Sequence, residues 1–317
     1  TTHTMAIDAA LLIGINYTGT EAALRGCHND VKHMAQWLQA YHGMSPDHIR
    51  VLMDTPRLPA TDQPTRANIV EALKGLSRNT AAATVLIHYS GHGGTMPDRN
   101  GDEDDGEDST LIPVDYETAG IICDDEFRAI LNGFGPHQRV IVVGDCCHSG
   151  TLCDLQVRIE TLPGRTATDA AAAFRIHQKP YPETKAAVVM LSGCRDAQTS
   201  ADAYLAPVVL GTAVAGGAAR VLRATRGPRV RRQRTRIIVR RRRAVRRTRK
   251  IPQGALTSAF LRSIVALTSG STATTWATLL QALYRELKRS RFSQQPQLSF
   301  GRAQDAHVFE ACTRMGL

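Results

Sequence analysis

The sequence predicts an α/β fold in which helices cover both faces of a mostly parallel sheet. Two observations support this prediction. Short apolar runs, which suit strands buried on both faces, alternate along the chain with segments whose apolar residues recur at helical spacing. The chain of 317 residues is also 43% hydrophobic, so it can bury a substantial core and is not compositionally disordered.

The first part of the chain supplies two predicted strands and two predicted helices. The apolar run at 9–16 predicts a strand, and the helix that follows it has Asn29 or Asp30 as its expected N-cap. A second helix is expected to begin at Thr65. The run at 84–89 predicts the next strand, because it is apolar and stops at a glycine-rich turn.

The second part continues the alternation. Asp124 and Asp125 are expected to cap a short helix. The β-branched run at 139–143 predicts a strand that ends at two adjacent cysteines, and the run at 186–191 predicts one more buried strand. Two amphipathic helices are predicted near the end of the chain, at 255–267 and 275–290.

One segment accounts for the basic balance of the chain. The net charge is +10 at pH 7, and residues 220–250 contain 16 of the 39 Lys and Arg residues and no acidic residue. This Arg-rich segment is interpreted first as a solvated insertion, because like charges at this density repel one another. Nonspecific binding to nucleic acid or an anionic surface, a protease-sensitive linker and an artefact of sequence assembly stay open.

The cysteine usage indicates an intracellular, reducing compartment. Seven cysteines with no regular spacing do not form a disulfide framework. The sequence contains no apolar stretch near the roughly 20 residues of a membrane helix and no cleavable signal at its N-terminus. We therefore expect a cytoplasmic protein without a membrane span.

Two strand ends carry residues suited to nucleophilic catalysis. His92 follows one predicted strand, and Cys147 follows another, so both lie at the carboxyl edge of the sheet. A cysteine nucleophile needs an imidazole to exchange its proton, and Gly93 and Cys147 could supply backbone N–H groups for an oxyanion. From the residues alone, an inert and well-packed cysteine and histidine remain an alternative.

The same edge carries two carboxylates. Asp145 lies two residues before Cys147, and Asp30 follows the first strand. Carboxylates beside a catalytic cysteine attract a cationic substrate side chain. Their structural alternatives are a helix cap for Asp30 and a hydrogen-bond anchor of the catalytic turn for Asp145.

An acidic loop at 98–108 suggests a hard cation such as calcium, although a solvated surface loop is the alternative. Its glycines do not have the spacing of an EF-hand. Zinc is a poor alternative, because the adjacent Cys146 and Cys147 cannot reproduce the spacing of a zinc knuckle.

Two motifs resemble the metacaspases, which are cysteine peptidases related in fold to caspases and legumain. The strings are HYSGHGG at 88–94 and DCCHSG at 145–150. Further agreement comes from four strings spread along the chain, which are GCHND at 26–30, LIPVDY at 111–116, SGCRDAQTSADA at 192–203 and GALTSAF at 254–260.

The resemblance implies a caspase-like three-layer α/β/α sandwich with a mostly parallel central sheet. It also implies that Cys147 attacks the peptide carbonyl while His92 protonates the departing amine. Asp30 and Asp145 match the carboxylates of a pocket that selects Arg or Lys, with Cys27 and Ser90 as additional lining. The neighbours Cys146, His148 and His88 are interpreted as structural residues.

The resemblance further implies a calcium ion (Ca2+) bound by carboxylates from separate segments. The matching positions are Asp108, Asp124, Asp125 and Asp154. Helix capping is the alternative for Asp124 and Asp125.

The order of segments resembles the type I subgroup. It predicts a large catalytic segment at 1–203, an Arg-rich insertion at 204–253 and a small segment at 254–317 that completes the same domain. A monomer is expected. Self-processing is expected within 220–250. Three competing sites, Arg158, Arg165 and Arg175, lie in a polar stretch after the catalytic turn that is interpreted as an accessible loop.

The sequence therefore predicts a calcium-dependent cysteine endopeptidase that cleaves proteins or peptides after Arg or Lys and processes itself. A catalytically idle scaffold of the same fold, binding nucleic acid or anionic surfaces through the Arg-rich segment, is the alternative function.

Overall fold

A central sheet with helices on both faces forms the described part of the chain. The computed structural model describes residues 6–98, 101, 106–147, 149–162, 173–193, 202–205, 250–269 and 275–310. The strands are β1 (Ala9–Gly14), β2 (Ile49–Met53), β3 (Thr84–Ser90), β4 (Gly93–Pro97), β5 (Glu107–Leu111), β6 (Ile122–Cys123), β7 (Arg139–Asp145), β8 (Val157–Thr161), β9 (Phe174–Gln178), β10 (Ala187–Ser192), β11 (Asp202–Leu205), β12 (Ile251–Gly254) and β13 (Gln297–Phe300). The helices are α1 (Cys27–His42), α2 (Arg66–Arg78), α3 (Tyr116–Ala119), α4 (Asp124–Leu131), α5 (Ala255–Thr268), α6 (Trp276–Arg289) and α7 (Ala303–Glu310), with 3₁₀ turns at Pro46–His48 and Ala60–Asp62.

The main sheet has eight strands in the order β2-β1-β3-β7-β10-β13-β8-β9. The five strands from β2 to β10 are parallel, and β13, β8 and β9 continue the sheet with antiparallel pairing. Every residue of β3 is buried, as expected for a parallel strand with helices on both of its faces. The predicted α/β class with a mostly parallel sheet is confirmed.

Each face of the sheet has its own hydrophobic core. Trp37 of α1, Phe260 of α5 and Leu283 of α6 are fully buried on one face. Leu73 of α2 and Phe127 of α4 are fully buried on the other face. Burying one such side chain contributes about 1.5–3 kcal/mol, so both helix layers contribute strongly to the stability of the sandwich.

Three helix starts agree with the sequence, and two do not. The Oγ1 atom of Thr65 accepts a hydrogen bond from the N–H of Asn68 and so caps α2 as predicted. The prediction of Asn29 or Asp30 as the cap of α1 is wrong, because α1 begins at Cys27 and both side chains contact strand β12, directly before α5. In the same way, Asp124 and Asp125 lie inside the first turn of α4 rather than at its N-cap. The other confirmed starts are that of α5 at Ala255 and that of α6, where Thr275 and Thr278 form a capping box.

A small sheet follows the glycine-rich turn where the sequence indicated loops. Strand β4 pairs antiparallel with β5, and β5 pairs with β6. The interpretation of Arg158 and Arg175 as loop residues is wrong, because they lie in the paired strands β8 and β9. Arg165 and residues 206–249, which include nearly all of the Arg-rich segment, lie outside the described residues.

The two ends of that outlying stretch meet in a two-stranded ribbon. Strand β11 pairs antiparallel with β12, so that Leu205 lies opposite Ile251 and Asp202 lies opposite Gly254. The chain therefore leaves for the insertion and returns from it at one end of the ribbon. The other end of the ribbon continues directly into α5.

Candidate active site

The register of two central strands brings the two catalytic candidates to one place. Strands β3 and β7 are parallel neighbours, and Ser90 pairs with Asp145 at their carboxyl ends. His92 and Cys147 follow these two positions by two residues each. Because parallel strands end at the same edge, both residues leave the sheet side by side.

Backbone contact between the two turns is close. A Cβ atom added to Gly93 would lie 2.1 Å from the carbonyl oxygen of Cys147 and 3.3 Å from the Cβ of Cys146. A side chain at position 93 would therefore push the two turns apart. Cys147 is half-buried, whereas Cys146 is only 1% exposed and belongs to the hydrophobic core. The structure thus places Cys147 where a substrate can reach it.

The His92 ring is oriented by a carbonyl group. The Nε2 atom of His92 lies 2.7 Å from the carbonyl oxygen of Ala22. Since a carbonyl oxygen only accepts hydrogen bonds, Nε2 carries the proton of the neutral ring. Nδ1 is then the nitrogen with a free electron pair, and it is the atom that can take a proton from a thiol.

The two predicted pocket carboxylates converge on one glycine. Asp30 is 1% exposed and Asp145 is 3% exposed. A Cβ atom added to Gly254 would lie 2.2 Å from Oδ2 of Asp145 and 2.6 Å from Oδ2 of Asp30. Glycine at this position therefore leaves the space that both carboxylates occupy.

Backbone N–H groups at the start of α5 neutralise these carboxylates in part. The N–H of Gly254 lies 2.9 Å from both oxygens of Asp30, and the N–H of Thr257 donates to Asp145 over 2.8 Å. The positive end of the helix dipole stabilises negative charge at this position. Asp145 thus anchors the first turn of α5, and Asp30 holds Gly254, the residue directly before α5, instead of capping its own helix.

The two residues proposed as additional lining lie beside Asp30. Ser90 is buried, and its hydroxyl donates to Oδ2 of Asp30 over 2.8 Å. Cys27 is buried at the start of α1, and its N–H donates to Oδ1 of Asn16 over 3.1 Å. The structure therefore brings Asp30, Asp145 and Ser90 together at the edge where His92 and Cys147 lie.

His88 is a buried histidine of the sheet, as interpreted from the sequence. Its Nε2 atom lies 3.0 Å from Oγ1 of Thr257, in the first turn of α5. Burial lowers the pKa of His88 to about 3, so the ring is neutral at physiological pH. His148, the other histidine of the catalytic motif region, lies outside the described residues.

Sequence reasoning missed an acidic residue that holds the loop after β1. Asp54 accepts hydrogen bonds from the N–H groups of Asn16 at 2.7 Å and Thr18 at 3.2 Å, and it lies 2.6 Å from Nε2 of His28. Burial works to raise the pKa of Asp54, but these three hydrogen bonds lower it overall. The position of Asp54 directly after β2, at the same sheet edge, was the signal that could have indicated it.

Three of the four predicted calcium ligands are buried carboxylates. Asp108, Asp124 and Asp154 are at most 4% exposed, whereas Asp125 is exposed. Burial raises the pKa of the Cys153 thiol, the negative charges of Asp154 and Asp124 raise it further, and Arg128 lowers it. The main-chain carbonyl of Asp154 accepts a hydrogen bond from Arg128, whose guanidinium is itself buried.

These carboxylates fit calcium by their chemistry but not by their arrangement. Buried carboxylate oxygens are the ligands that this ion prefers. Within the described ranges, however, no group of three His, Cys, Asp or Glu side chains is arranged to hold a metal ion. Residues 102–105 of the acidic loop lie outside those ranges. Calcium binding therefore stays a prediction.

The α/β/α sandwich, with a cysteine and a histidine at the ends of adjacent parallel strands, is the arrangement that the resemblance to caspase-like cysteine peptidases implies. Residues 9–156 match the family described as "Metacaspase, peptidase C14 domain". This part of the chain therefore matches a metacaspase peptidase domain, and the resemblance seen in the sequence is confirmed.

Individual relatives agree with this assignment. The chain is 42% identical over 214 residues to Metacaspase-2 of Trypanosoma brucei brucei, which covers 66% of this chain and 60% of the relative. It is 36% identical over 234 residues to Metacaspase-1A of Aspergillus terreus, covering 62% and 58%. The chain thus spans about three fifths of the length of the curated relatives that it matches.

A solved structure shows the same fold. Protein GSU0716 from Geobacter sulfurreducens superimposes with a TM-score of 0.54 at 23% identity, covering 96% of this chain and 97% of that chain. At this identity the likeness concerns the fold alone.

In the part of the chain that the structure describes, no helix is long and apolar enough to cross a membrane.

Proposed function

We propose that this chain is a calcium-dependent cysteine endopeptidase that cleaves protein and peptide substrates after Arg or Lys. The observation that carries the proposal is the convergence of Asp30 and Asp145 on Gly254, at the sheet edge where Cys147 and His92 lie. Two carboxylates beside a nucleophile favour a cationic side chain on the acyl side of the scissile bond.

The reaction follows from the polarity of the His92 ring. Nδ1 of His92 takes the thiol proton of Cys147, and the thiolate attacks the peptide carbonyl carbon. The backbone N–H groups of Gly93 and Cys147 donate to the oxyanion of the tetrahedral intermediate. The intermediate then collapses, the proton passes from Nδ1 to the leaving amine, and water hydrolyses the resulting thioester with His92 as the base.

Charge also explains the preference for basic residues. An arginine side chain presents several N–H donors to carboxylates in a planar arrangement, and lysine presents a compact positive charge. An aspartate side chain in the same position would face Asp30 and Asp145 with like charge. A neutral substrate side chain has no charge for these carboxylates to attract, so substrates with Arg or Lys are favoured.

Calcium would be held by Asp108, Asp124, Asp125 and Asp154. When bound, the ion supplies positive charge that offsets the mutual repulsion of these carboxylates. The support in this chain is the connection of β5 to the site. Asp108 lies in β5, and Ile112, just after this strand, donates its N–H to the carbonyl of His92 over 3.3 Å.

Self-processing is proposed within the Arg-rich segment. A bond to be cleaved must enter the site on a segment that is free to leave its neighbours, whereas Arg158 and Arg175 are held in the paired strands β8 and β9. The Arg-rich segment is joined to the ribbon of β11 and β12, which ends at Gly254 beside the pocket. This tether supports cleavage within 220–250, with Arg165 as the remaining competitor.

The test is hydrolysis of paired fluorogenic peptides that differ only in carrying Arg or Asp at the scissile position. Wild type, Cys147→Ala and the matched control Cys146→Ala are assayed with millimolar calcium and with a chelator. We expect cleavage of the Arg peptide alone, dependent on calcium and on Cys147 but not on Cys146. Cleavage of the Asp peptide would overturn the specificity, and activity in the chelator would overturn the calcium dependence.

A further inference from the structure

Two buried tyrosines hold the backbone of His92. The N–H of His92 donates to the hydroxyl oxygen of Tyr17 over 3.0 Å, and the hydroxyl of Tyr89 donates to the carbonyl oxygen of His92 over 2.7 Å. Tyr17 is 1% exposed and Tyr89 is 2% exposed. Both main-chain polar groups of the histidine are therefore fixed by side chains that solvent does not reach.

The same two hydroxyls hold Ile112 in a complementary way. Tyr17 donates to the carbonyl oxygen of Ile112 over 2.6 Å, and the N–H of Ile112 lies 3.3 Å from the hydroxyl of Tyr89. A phenolic hydroxyl has one proton and can accept other hydrogen bonds, so both tyrosines use donor and acceptor at once. Burial raises the pKa of Tyr17 and of Tyr89, so both hydroxyls keep their protons at physiological pH.

Tyr17 also contacts the imidazole directly. The ring centroids of Tyr17 and His92 are 4.7 Å apart, with 41° between the ring planes. Tyr17 and the carbonyl of Ala22, which orients Nε2, belong to the same loop after β1. One loop thus determines both the plane of the ring and the direction of its N–H.

The backbone of Tyr17 is in an unusual conformation. Its φ is +48°, in the left-handed region that non-glycine residues rarely adopt because it costs about 1–2 kcal/mol. Such conformations persist where the surrounding structure requires them, and they concentrate at functional sites. Tyr17 has this conformation at the position where its ring contacts His92.

We propose that Tyr17 and Tyr89 are positioning residues of the peptidase, which hold His92 so that Nδ1 is directed toward Cys147. The inference rests on the proposed function, since it assigns a task to residues outside the Cys147 and His92 pair. A purely structural role of the hydroxyl groups would affect stability without changing kcat or the reactivity of Cys147. Removing only the hydroxyl groups therefore separates the two roles.

The experiment compares Tyr17→Phe, Tyr89→Phe and the double variant with wild type and with Tyr284→Phe, a matched control on α6. Two measurements are made on each protein. The first gives kcat and KM for the Arg peptide, and the second gives the pH dependence of Cys147 alkylation by iodoacetamide. His92→Ala gives the alkylation profile of a cysteine without its partner.

We expect each single variant to lower kcat about tenfold, the effect of about 1.4 kcal/mol in activation free energy, with KM within about twofold of wild type. The alkylation midpoint should move toward that of His92→Ala, because a misplaced imidazole stabilises the thiolate less. The double variant should lose less than the product of the single losses, since both hydroxyls act on one residue. Tyr284→Phe should match wild type in both measurements.

Three results would overturn the inference. The first is that both single variants have the kcat and the alkylation profile of wild type. A lower unfolding temperature in such variants would then show that the hydroxyl groups are structural only. The second is a change confined to KM. The third is an identical alkylation profile for wild type and His92→Ala. If wild type cleaves no Arg peptide, the proposed function fails, but the alkylation profiles still decide the role of the tyrosines.

Discussion

The substitution Gly254→Ala tests the geometry of the proposed acidic pocket with one methyl group. Gly254 has φ −67° and ψ 143°, which alanine adopts without strain, so the backbone itself tolerates the change. The added Cβ would nevertheless lie 2.2 Å from Asp145 and 2.6 Å from Asp30. Real Cβ contacts are not this short, so at least one carboxylate must move.

The size of the effect follows from the hydrogen bonds that this movement breaks. Asp30 accepts from the N–H of Gly254 over 2.9 Å, and Asp145 accepts from the N–H of Thr257 over 2.8 Å. A hydrogen bond to a charged group contributes about 1.5–3 kcal/mol. The loss of one such hydrogen bond, at about 2 kcal/mol, corresponds to a factor of about 30 in an equilibrium constant.

We therefore expect Gly254→Ala to lower kcat/KM for the Arg peptide by about 30-fold, mainly through KM, and to lower the free energy of unfolding by about 2 kcal/mol. The assays are steady-state kinetics on the Arg peptide and urea unfolding. The matched control is Gly75→Ala in α2, where a Cβ meets nothing within 4 Å. It should leave the kinetics unchanged and stabilise the protein by about 0.5–1 kcal/mol, because alanine is the better helix former.

Wild-type kinetics and stability in Gly254→Ala would refute this reasoning, because they would mean that the carboxylates accommodate a methyl group without losing their hydrogen bonds. A loss of stability with unchanged KM would separate the anchoring of α5 from substrate binding. In that case Asp30 and Asp145 would support the fold without forming the pocket.

Three further outcomes are expected. Gly93→Ala should lower kcat about tenfold or more, because the added Cβ meets the carbonyl of Cys147 at 2.1 Å; wild-type kcat would contradict the backbone contact. Because burial lowers the pKa of His88 to about 3, the unfolded chain binds a proton at pH 5 that the folded chain does not. Through this residue, the free energy of unfolding keeps its full value above about pH 6.5 and is about 2 kcal/mol lower at pH 5. Urea unfolding should show a smaller difference in the free energy of unfolding between about pH 6.5 and pH 5 for His88→Gln than for wild type. An equal difference in the two proteins would be evidence against the buried neutral ring. Iodoacetamide should label half-buried Cys147 before the core residue Cys146, as followed by peptide mass spectrometry, and the reverse order would count against Cys147 as the accessible thiol.

The central parallel strands could be predicted from the sequence to within two residues. The run at 139–143 is continuously apolar because β7 is buried on both faces, and the structure extends it to Asp145. Strand β9 lies at the end of the sheet, and its central residues are exposed. Its sequence therefore lacks the apolar run that identified β7. The small sheet of β4 to β6 was missed because its first strand begins with glycines, which usually indicate a turn.

The candidate site divides in the same way. His92 and Cys147 could be placed together because parallel strands end at one edge, and this follows from the pattern alone. The contacts of Asp30 and Asp145 with Gly254 could not be foreseen, because they join positions more than 100 residues apart through backbone N–H groups. The orientation of His92 by the carbonyl of Ala22 was hidden for the same reason, since every residue type has such a carbonyl.

The position of β13 determines what a cut in the insertion would do to the molecule. Strand β13 comes from the end of the chain, yet it lies inside the sheet between β10 and β8. The same C-terminal part contributes α5 and α6 to one of the two hydrophobic cores. A cleaved chain would therefore remain a two-chain complex held by sheet hydrogen bonds and apolar packing, and its halves would separate only when the whole sandwich unfolds. Self-processing would leave the pocket glycine and the catalytic cysteine on different polypeptides within one intact enzyme.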